Sequence, residues 1–234
     1  MTNAFDEPAG IAPRGTVIVA AGRGETIDAY QRFGKRIAAD GYKVRLLPDV
    51  VPDLESSFAA AEKLLVDDGL PGPRVIVGSD TGALFALALA RRAAPGLDAV
   101  VVAGIPLPEA PGVDLIGWEG ELEARTGCPA HRGVLAAGAV TPGALFSAQI
   151  PTELIGEPGD VTIPTLGLHG ADDPISPLAS ARPAYPGRLV GIAGGRHDIL
   201  NDVTHRTAAA TIILFLERLR LGASLPVIAT EVSA

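Results

Sequence analysis

The chain has a single cysteine, Cys128, so no disulfide can form within it. That cysteine sits in Cys-Pro-Ala-His, which lacks the repeated Cys and His spacing of a zinc site, and neither a metal nor a cofactor is expected. Aromatic residues are scarce, at 4%, which leaves Ala, Val, Leu and Ile to build the core. There is no excess of positive charge. Lys and Arg number 19 against 27 Asp and Glu, and the formal net charge of −8 argues against a general affinity for nucleic acid or anionic membranes. The opening stretch MTNAFDEPAGIAPRG has no basic segment followed by an apolar run, so no signal peptide is expected. The apolar runs are short or broken by Gly, Pro and charge, and none reads as a membrane span. A cytoplasmic protein is the resulting expectation.

What is present is a globular balance of 47% hydrophobic and 20% charged residues over 234 positions, enough for one large domain. Short β-branched runs alternate with helical patterns. The segments 15–20, 43–47, 74–77, 99–103, 163–169 and 188–193 read as strands apolar on both faces. Helical stretches fall at about 28–40, 55–68, 83–94 and 203–220, the last ending in basic residues that suit a helix C-terminus. This alternation predicts an α/β fold: a mainly parallel sheet of about six strands with helices on both faces. One region breaks the rhythm. Residues 105–160 are rich in Pro and Gly, with helices expected near WEGELEART and PGALFSAQI. An insertion there would lie over the carboxyl edge of the sheet, where ligands bind in open α/β folds. It is read as a small cap on a core made of 1–104 and 161–234.

Three segments carry chemistry. In VIVGSDTGALF, residues 75–85, a strand runs into a sharp turn and then a helix. A residue at the apex of such a turn sits in strained backbone and needs small neighbours two positions either side. Counted from Asp80 these are Gly78 and Gly82; counted from Ser79 they are Val77 and Thr81, which would crowd the turn. The spacing selects Asp80 and rejects Ser79. The second segment, GLHGADDPISP at 167–177, offers a carboxylate at a strand end that could orient a histidine. The third, GIAGGRHDILND at 191–202, places His197 on a loop after Gly-Gly, with an ordinary pKa near 6.5 suited to proton transfer. His169, His205, His131 and Cys128 are read as structural, surface or cap-packing residues.

Taken in order, AGRGETIDAYQRFGKRIAADGYKV, GSDTGALFALALA, HGADDPISP and GGRHDILND resemble the α/β-hydrolase fold superfamily. Within it the chain is most similar to compact lysophospholipase and serine-aminopeptidase-like members, with Asp in place of the nucleophilic Ser. The resemblance covers about residues 15 to 220. It implies Asp80 as nucleophile, His197 as base and Asp173 as acid. Asp173 is preferred to Asp172 because the family's acid stands three residues after the glycine, here Gly170, and directly before a proline, here Pro174. It also implies the backbone amides of Arg23 and Thr81 as an oxyanion hole. Gly22, Trp118 and Phe146 are the residues expected to touch substrate.

An aspartate in the turn would attack a saturated carbon and form an alkyl ester of its own carboxylate, which water activated by histidine then cleaves. Haloalkane dehalogenases, fluoroacetate dehalogenases and epoxide hydrolases of this superfamily work in that way. The sequence matches none of the three in full: Thr81 follows the aspartate, no arginine stands directly after it, and Tyr30, Tyr42 and Tyr185 all lie outside the cap. The expected activity is hydrolysis of a small organic molecule. A repurposed relative that performs a lyase or cyclase step, or only binds a ligand, is the main alternative, and an ester or thioester hydrolase a lesser one. A dinucleotide-binding turn in VIVAAGRGETID is weaker still, because Ile27 stands where the third glycine belongs. The expected partner is a small-molecule substrate, with neither nucleic acid nor membrane; a homodimer is left open.

Overall fold

A computed structural model of the chain describes residues 3–107, 117–230 and 232. Seven strands form one sheet: β1 (Ala4–Phe5), β2 (Thr16–Ala20), β3 (Lys43–Leu47), β4 (Arg74–Ser79), β5 (Ala99–Ala103), β6 (Thr165–Gly170) and β7 (Arg188–Ile192). Their spatial order is β1-β3-β2-β4-β5-β6-β7, and all neighbours pair in parallel except β1 with β3. Helices α1 (Gln31–Ala39), α2 (Leu54–Leu65), α3 (Thr81–Arg91) and α8 (His205–Arg220) belong to the core. The segment after β5 carries α4 (Gly117–Arg125), α5 (Pro129–Val134) and α6 (Ala144–Ser147), and α7 (Leu178–Ala181) precedes β7. No helix among the described residues is long and apolar enough to cross a membrane.

The period-2 geometry of strands sorts the buried side chains into two layers. Val17, Val19, Val75, Val77 and Val101 pack with Phe33 and Ile37 of α1 and with Ile212, Phe215 and Leu216 of α8. The alternate residues Ile18, Ile76, Val100 and Val102 pack on the other face with Phe58 and Leu65 of α2 and with Phe85 and Leu89 of α3. The central strands are therefore apolar throughout, which is why they read from the sequence as continuous β-branched runs.

Among the elements absent from the sequence reading are β1, α5 and α7. The seventh strand, β1, spans two residues that register Ala4 with Arg45 and Phe5 with Val44, too short to leave an alternating pattern. Helix α5 spans Pro129–Val134, a stretch too brief to show a helical period; Pro129 starts it, where a missing N–H costs nothing. Part of the expected cap, residues 108–116, lies outside the described residues.

The strand order reverses between β2 and β4: the chain passes from β2 outward to β3 and then returns to the other side of β2. The crevice beyond the carboxyl ends of these two strands is where open α/β sheets bind ligands. Arg23 follows β2 and Asp80 follows β4, so both stand at that crevice.

Candidate active site

Asp80 occupies the apex between β4 and α3 with φ 52° and ψ −122°, a conformation that L-residues other than glycine rarely hold. The flanking glycines permit it. A Cβ on Gly78 would lie 1.9 Å from the carbonyl oxygen of Gly82, and one on Gly82 would lie 2.2 Å from that of Ala20. Ser79 is the last residue of β4 and is buried. The Asp80 amide continues the ladder by donating to Ala103 O at 3.0 Å, which fixes the carboxylate above the sheet edge at the N-terminus of α3.

The three residues expected to act together do converge. His197 Nε2 lies 3.1 Å from Asp80 Oδ1, and His197 Nδ1 lies 2.8 Å from Asp173 Oδ2. Asp173 Oδ1 accepts from the amides of Ile175 and Ser176 at 2.8 and 3.0 Å. His169, at the end of β6, holds the same loop from below: its Nε2 is 2.6 Å from Ser176 O and 3.2 Å from Asp173 Oδ2, and its Nδ1 is 2.6 Å from Tyr185 Oη. All four side chains, Asp80, Asp173, His169 and His197, are buried.

Arg23 is the residue whose part the sequence reading did not foresee. Its amide donates to Asp80 Oδ2 at 2.9 Å, as an oxyanion-loop amide would. Its side chain also closes over the same carboxylate: Nε donates to Oδ2 and Nη2 to Oδ1, both at 2.8 Å. Thr81, as the first residue of α3, has an N–H with no acceptor inside the helix. Gly22 sits against Asp80, since a Cβ there would come within 2.9 Å of Asp80 Cβ, and its amide donates to Glu25 Oε2 and Tyr30 Oη. Trp118 is half-buried against the α1/α8 face of the core, and Phe146 is 45% exposed.

The electrostatics follow from these contacts. Burial alone would raise the Asp80 pKa, but the Arg23 charge and the His197 hydrogen bond hold it well below the usual carboxylate range. Burial works against the Arg23 charge, yet Asp80 raises its pKa above the ordinary value. Asp173 is likewise lowered: burial pushes it up, and the His197 charge with the His169 and His197 bonds pulls it down further. Burial would discharge His197, but Asp173 first and Asp80 second raise it to about 10. The resting site is thus an alternating array: Arg23 cation, Asp80 anion, His197 cation, Asp173 anion.

Segment 117–148 is fastened to this array. Thr26 N donates to Ala139 O and Thr141 N to Gly24 O, a short antiparallel bridge between the loop after β2 and the inserted segment. Arg23 Nη1 reaches Ala148 O at 3.4 Å, and Arg125 Nη2 donates to Arg23 O at 2.8 Å. Arg125 is fully buried and is also paired with Glu121 on its own helix. Glu25, Tyr30 and Arg125, which shape the Arg23 loop, are further residues that the sequence reading passed over. The nearest signal was their place in the Gly-Arg-Gly-Glu stretch and in an expected cap helix.

Among solved structures, the chain is similar to the monoacylglycerol lipase of Paleococcus ferrophilus, at 15% identity over 91% of this chain and 96% of that one, with a TM-score of 0.72. It is also similar to a lipase-esterase related protein from Clostridium acetobutylicum, at 14% identity over 90% and 97% of the two chains, TM-score 0.68. The enol-lactonase of Burkholderia xenovorans is similar at 16% identity over 92% and 95%, TM-score 0.62. No protein-family model and no curated protein sequence matches the chain. With its sheet order, its strained turn after β4 and these likenesses, the chain has the α/β-hydrolase fold.

Proposed function

We propose that the chain is a hydrolase of a small organic molecule that works through an ester of Asp80. The carrying observation is the line Asp80–His197–Asp173, with an ionised carboxylate at a strained apex in hydrogen-bond contact with the histidine. The similar structures named as lipase, esterase-related protein and enol-lactonase support hydrolysis in general. The aspartate at the apex shifts the chemistry from acyl transfer toward displacement at saturated carbon.

Asp80 Oδ1 attacks a carbon bearing a leaving group; a carbon–oxygen bond forms as the leaving group departs with its electron pair. Nη2 of Arg23 must release Oδ1 for this step, and its charge is then placed to meet the departing anion. The new ester removes the Asp80 charge, and with it one of the two anions that keep His197 protonated. The Nε2 proton of the His197 imidazolium passes to the departing group; the neutral Nε2 then takes a proton from water, and the water oxygen attacks Cγ of Asp80. The oxyanion forms on Oδ2, where the Arg23 amide already donates, with the Thr81 amide as the second donor. Collapse frees the alcohol and restores the carboxylate, and Asp173 steadies the imidazolium meanwhile. Residues 105–160 act as the cap; the contacts of Ala139, Thr141 and Ala148 with the Arg23 loop support that role.

The test is intact-protein mass spectrometry of His197→Ala with a panel of alkyl halides and epoxides. A stable adduct mapped to Asp80 supports the ester, and a single turnover of the wild type in labelled water should leave heavy oxygen in the Asp80 carboxylate. A second reading has its own observation. Both Asp80 oxygens are already held by Arg23, which also suits a repurposed site that uses the Asp80–Arg23 pair to bind a ligand or to guide a lyase or cyclase step. Absence of any adduct across the panel would favour that reading. A fluorophosphonate adduct at Ser79 would instead restore an ordinary esterase.

A further inference from the structure

Behind the triad lies a buried polar cluster that the proposed reaction does not use. Glu25 from the loop after β2, His131 from α5 and Asp198 from the loop after β7 are each 2% exposed. One ligand atom from each lies within 4.8 Å of the others. His131 Nε2 stands 3.4 Å from Asp198 Oδ2. Among the described residues, His131 Nε2 and both carboxylate oxygens of Asp198 have no hydrogen-bond partner. Buried polar atoms without a hydrogen bond are costly, at about 1–3 kcal/mol each and more for a charged group.

Arg125 faces three carboxylates, those of Glu25, Glu121 and Asp198. Glu121 is well satisfied by Arg125 Nε and Nη2 and by the amides of Gly143 and Leu145. Toward Glu25 Oε1 and Asp198 Oδ1, in contrast, Arg125 Nη1 keeps long distances of 3.5 and 3.6 Å. One guanidinium thus stands against three buried carboxylates, two of them at long range.

We propose that Glu25, His131 and Asp198 form a binding site for one divalent transition-metal ion, zinc by the nature of the donors. An imidazole nitrogen and carboxylate oxygens are suitable zinc ligands, at about 2.0–2.2 Å from the ion. Two such ligands in a tetrahedral arrangement stand about 3.4 Å apart by simple geometry, the separation found between His131 and Asp198. Each of the three residues offers one donor atom, and a water would complete a four-coordinate shell. A dication would add positive charge beside the two carboxylates that Arg125 meets only at long range. His131 also lines a groove of about 710 Å³ between α1 and α5. The ligands lie far apart in the sequence, which is why no zinc spacing announces them. The ion would tie the Arg23 loop, the inserted segment and the His197 loop together, so its role is to position the triad.

Metal binding does not depend on the chemistry assigned to Asp80, and its test reads binding alone. The full chain is stripped with a chelator and titrated with zinc chloride by calorimetry, and in parallel with cobalt(II) by visible absorption. The expected result is one equivalent of zinc per chain, d–d bands from cobalt, and a higher melting midpoint with zinc. His131→Gln and Asp198→Asn should each weaken binding by at least the roughly 10–100-fold that loss of an outer-shell partner alone costs. His205→Ala, outside the cluster, should leave it unchanged. If Asp198→Asn fails to fold, His131→Gln decides the matter alone. Absence of stoichiometric binding by the wild type overturns the site, as does binding that His131→Gln leaves intact. A metal-insensitive wild type made more stable by Asp198→Asn would show that a shared proton relieves the cluster instead.

Discussion

Replacing Arg23 by methionine tests how far Asp80 depends on the guanidinium above it. The side chain of Arg23 is 8% exposed and that of Asp80 1%, so the pair is buried and its charges are poorly screened. The substitution removes two charge-assisted hydrogen bonds, from Nε and Nη2, and leaves those of the Arg23 amide and His197. Breaking a buried pair by deleting one partner costs about 3–5 kcal/mol, and the surviving donors place the expected loss near the lower end, about 3 kcal/mol. The sign of its pH dependence is fixed. In the wild type, Asp80 has a pKa well below its unfolded value, so its stabilisation is full above the ordinary carboxylate range and is lost as pH falls through the folded pKa. In the variant, the unpaired buried carboxylate is a penalty at neutral pH that protonation relieves. The gap in stability between the two proteins should therefore be widest near neutrality and should narrow on acidification. Urea unfolding of both proteins across that range is the assay, with Asp80→Asn and the double variant closing a cycle. A loss at pH 7 below about 1 kcal/mol, the range of exposed ion pairs, would refute the buried clamp, and so would a gap that stays constant with pH.

Two further outcomes follow from the same geometry. Gly78→Ala should give little folded protein, or lose at least about 4 kcal/mol by thermal or urea unfolding, because the new Cβ would fall 1.9 Å from the Gly82 carbonyl oxygen. Tyr185→Phe should destabilise by about 1–3 kcal/mol, since it orphans the Ile105 amide and the Nδ1 of His169, both now bonded to its hydroxyl; an unchanged melting curve would show that those groups find other partners.

The fold was legible because its central strands are buried on both faces. Val75–Val77 and Val100–Val102 each place side chains in two cores, so the sequence shows them as unbroken apolar runs. The place of Asp80 was legible because a tight turn restricts its neighbours: Gly78 and Gly82 mark it as the apex whatever the rest of the chain does. The Arg23 side chain was not legible. A surface loop arginine and one folded back on a carboxylate look alike in sequence, and only the adjacency of β2 and β4 brings residue 23 to residue 80. Glu25, His131 and Asp198 were hidden for the same reason, each lying on a different connection. Phe146, expected to touch substrate as an apolar residue of the insertion, stands on α6 at 45% exposure.

The charge at position 80 and the charge at position 23 are one feature. A serine at the apex would be neutral and could sit beneath the sheet edge without compensation. An aspartate there is a buried anion, and the His197 charge is already matched by Asp173, so a second cation must come from an element next to β4. The loop after β2 is the neighbour whose amide already faces the apex, and Arg23 is the residue at that amide. The same guanidinium that keeps the carboxylate ionised also occupies its open side. Any ligand that reaches Asp80 has to displace Nη2 from Oδ1, and a ligand whose departing or fixed group is anionic recovers that interaction with Arg23. Neutral ligands with no anionic character at the reacting end would break the clamp without replacement. On the mechanism proposed above, the site would therefore favour molecules that carry or generate negative charge beside the attacked carbon.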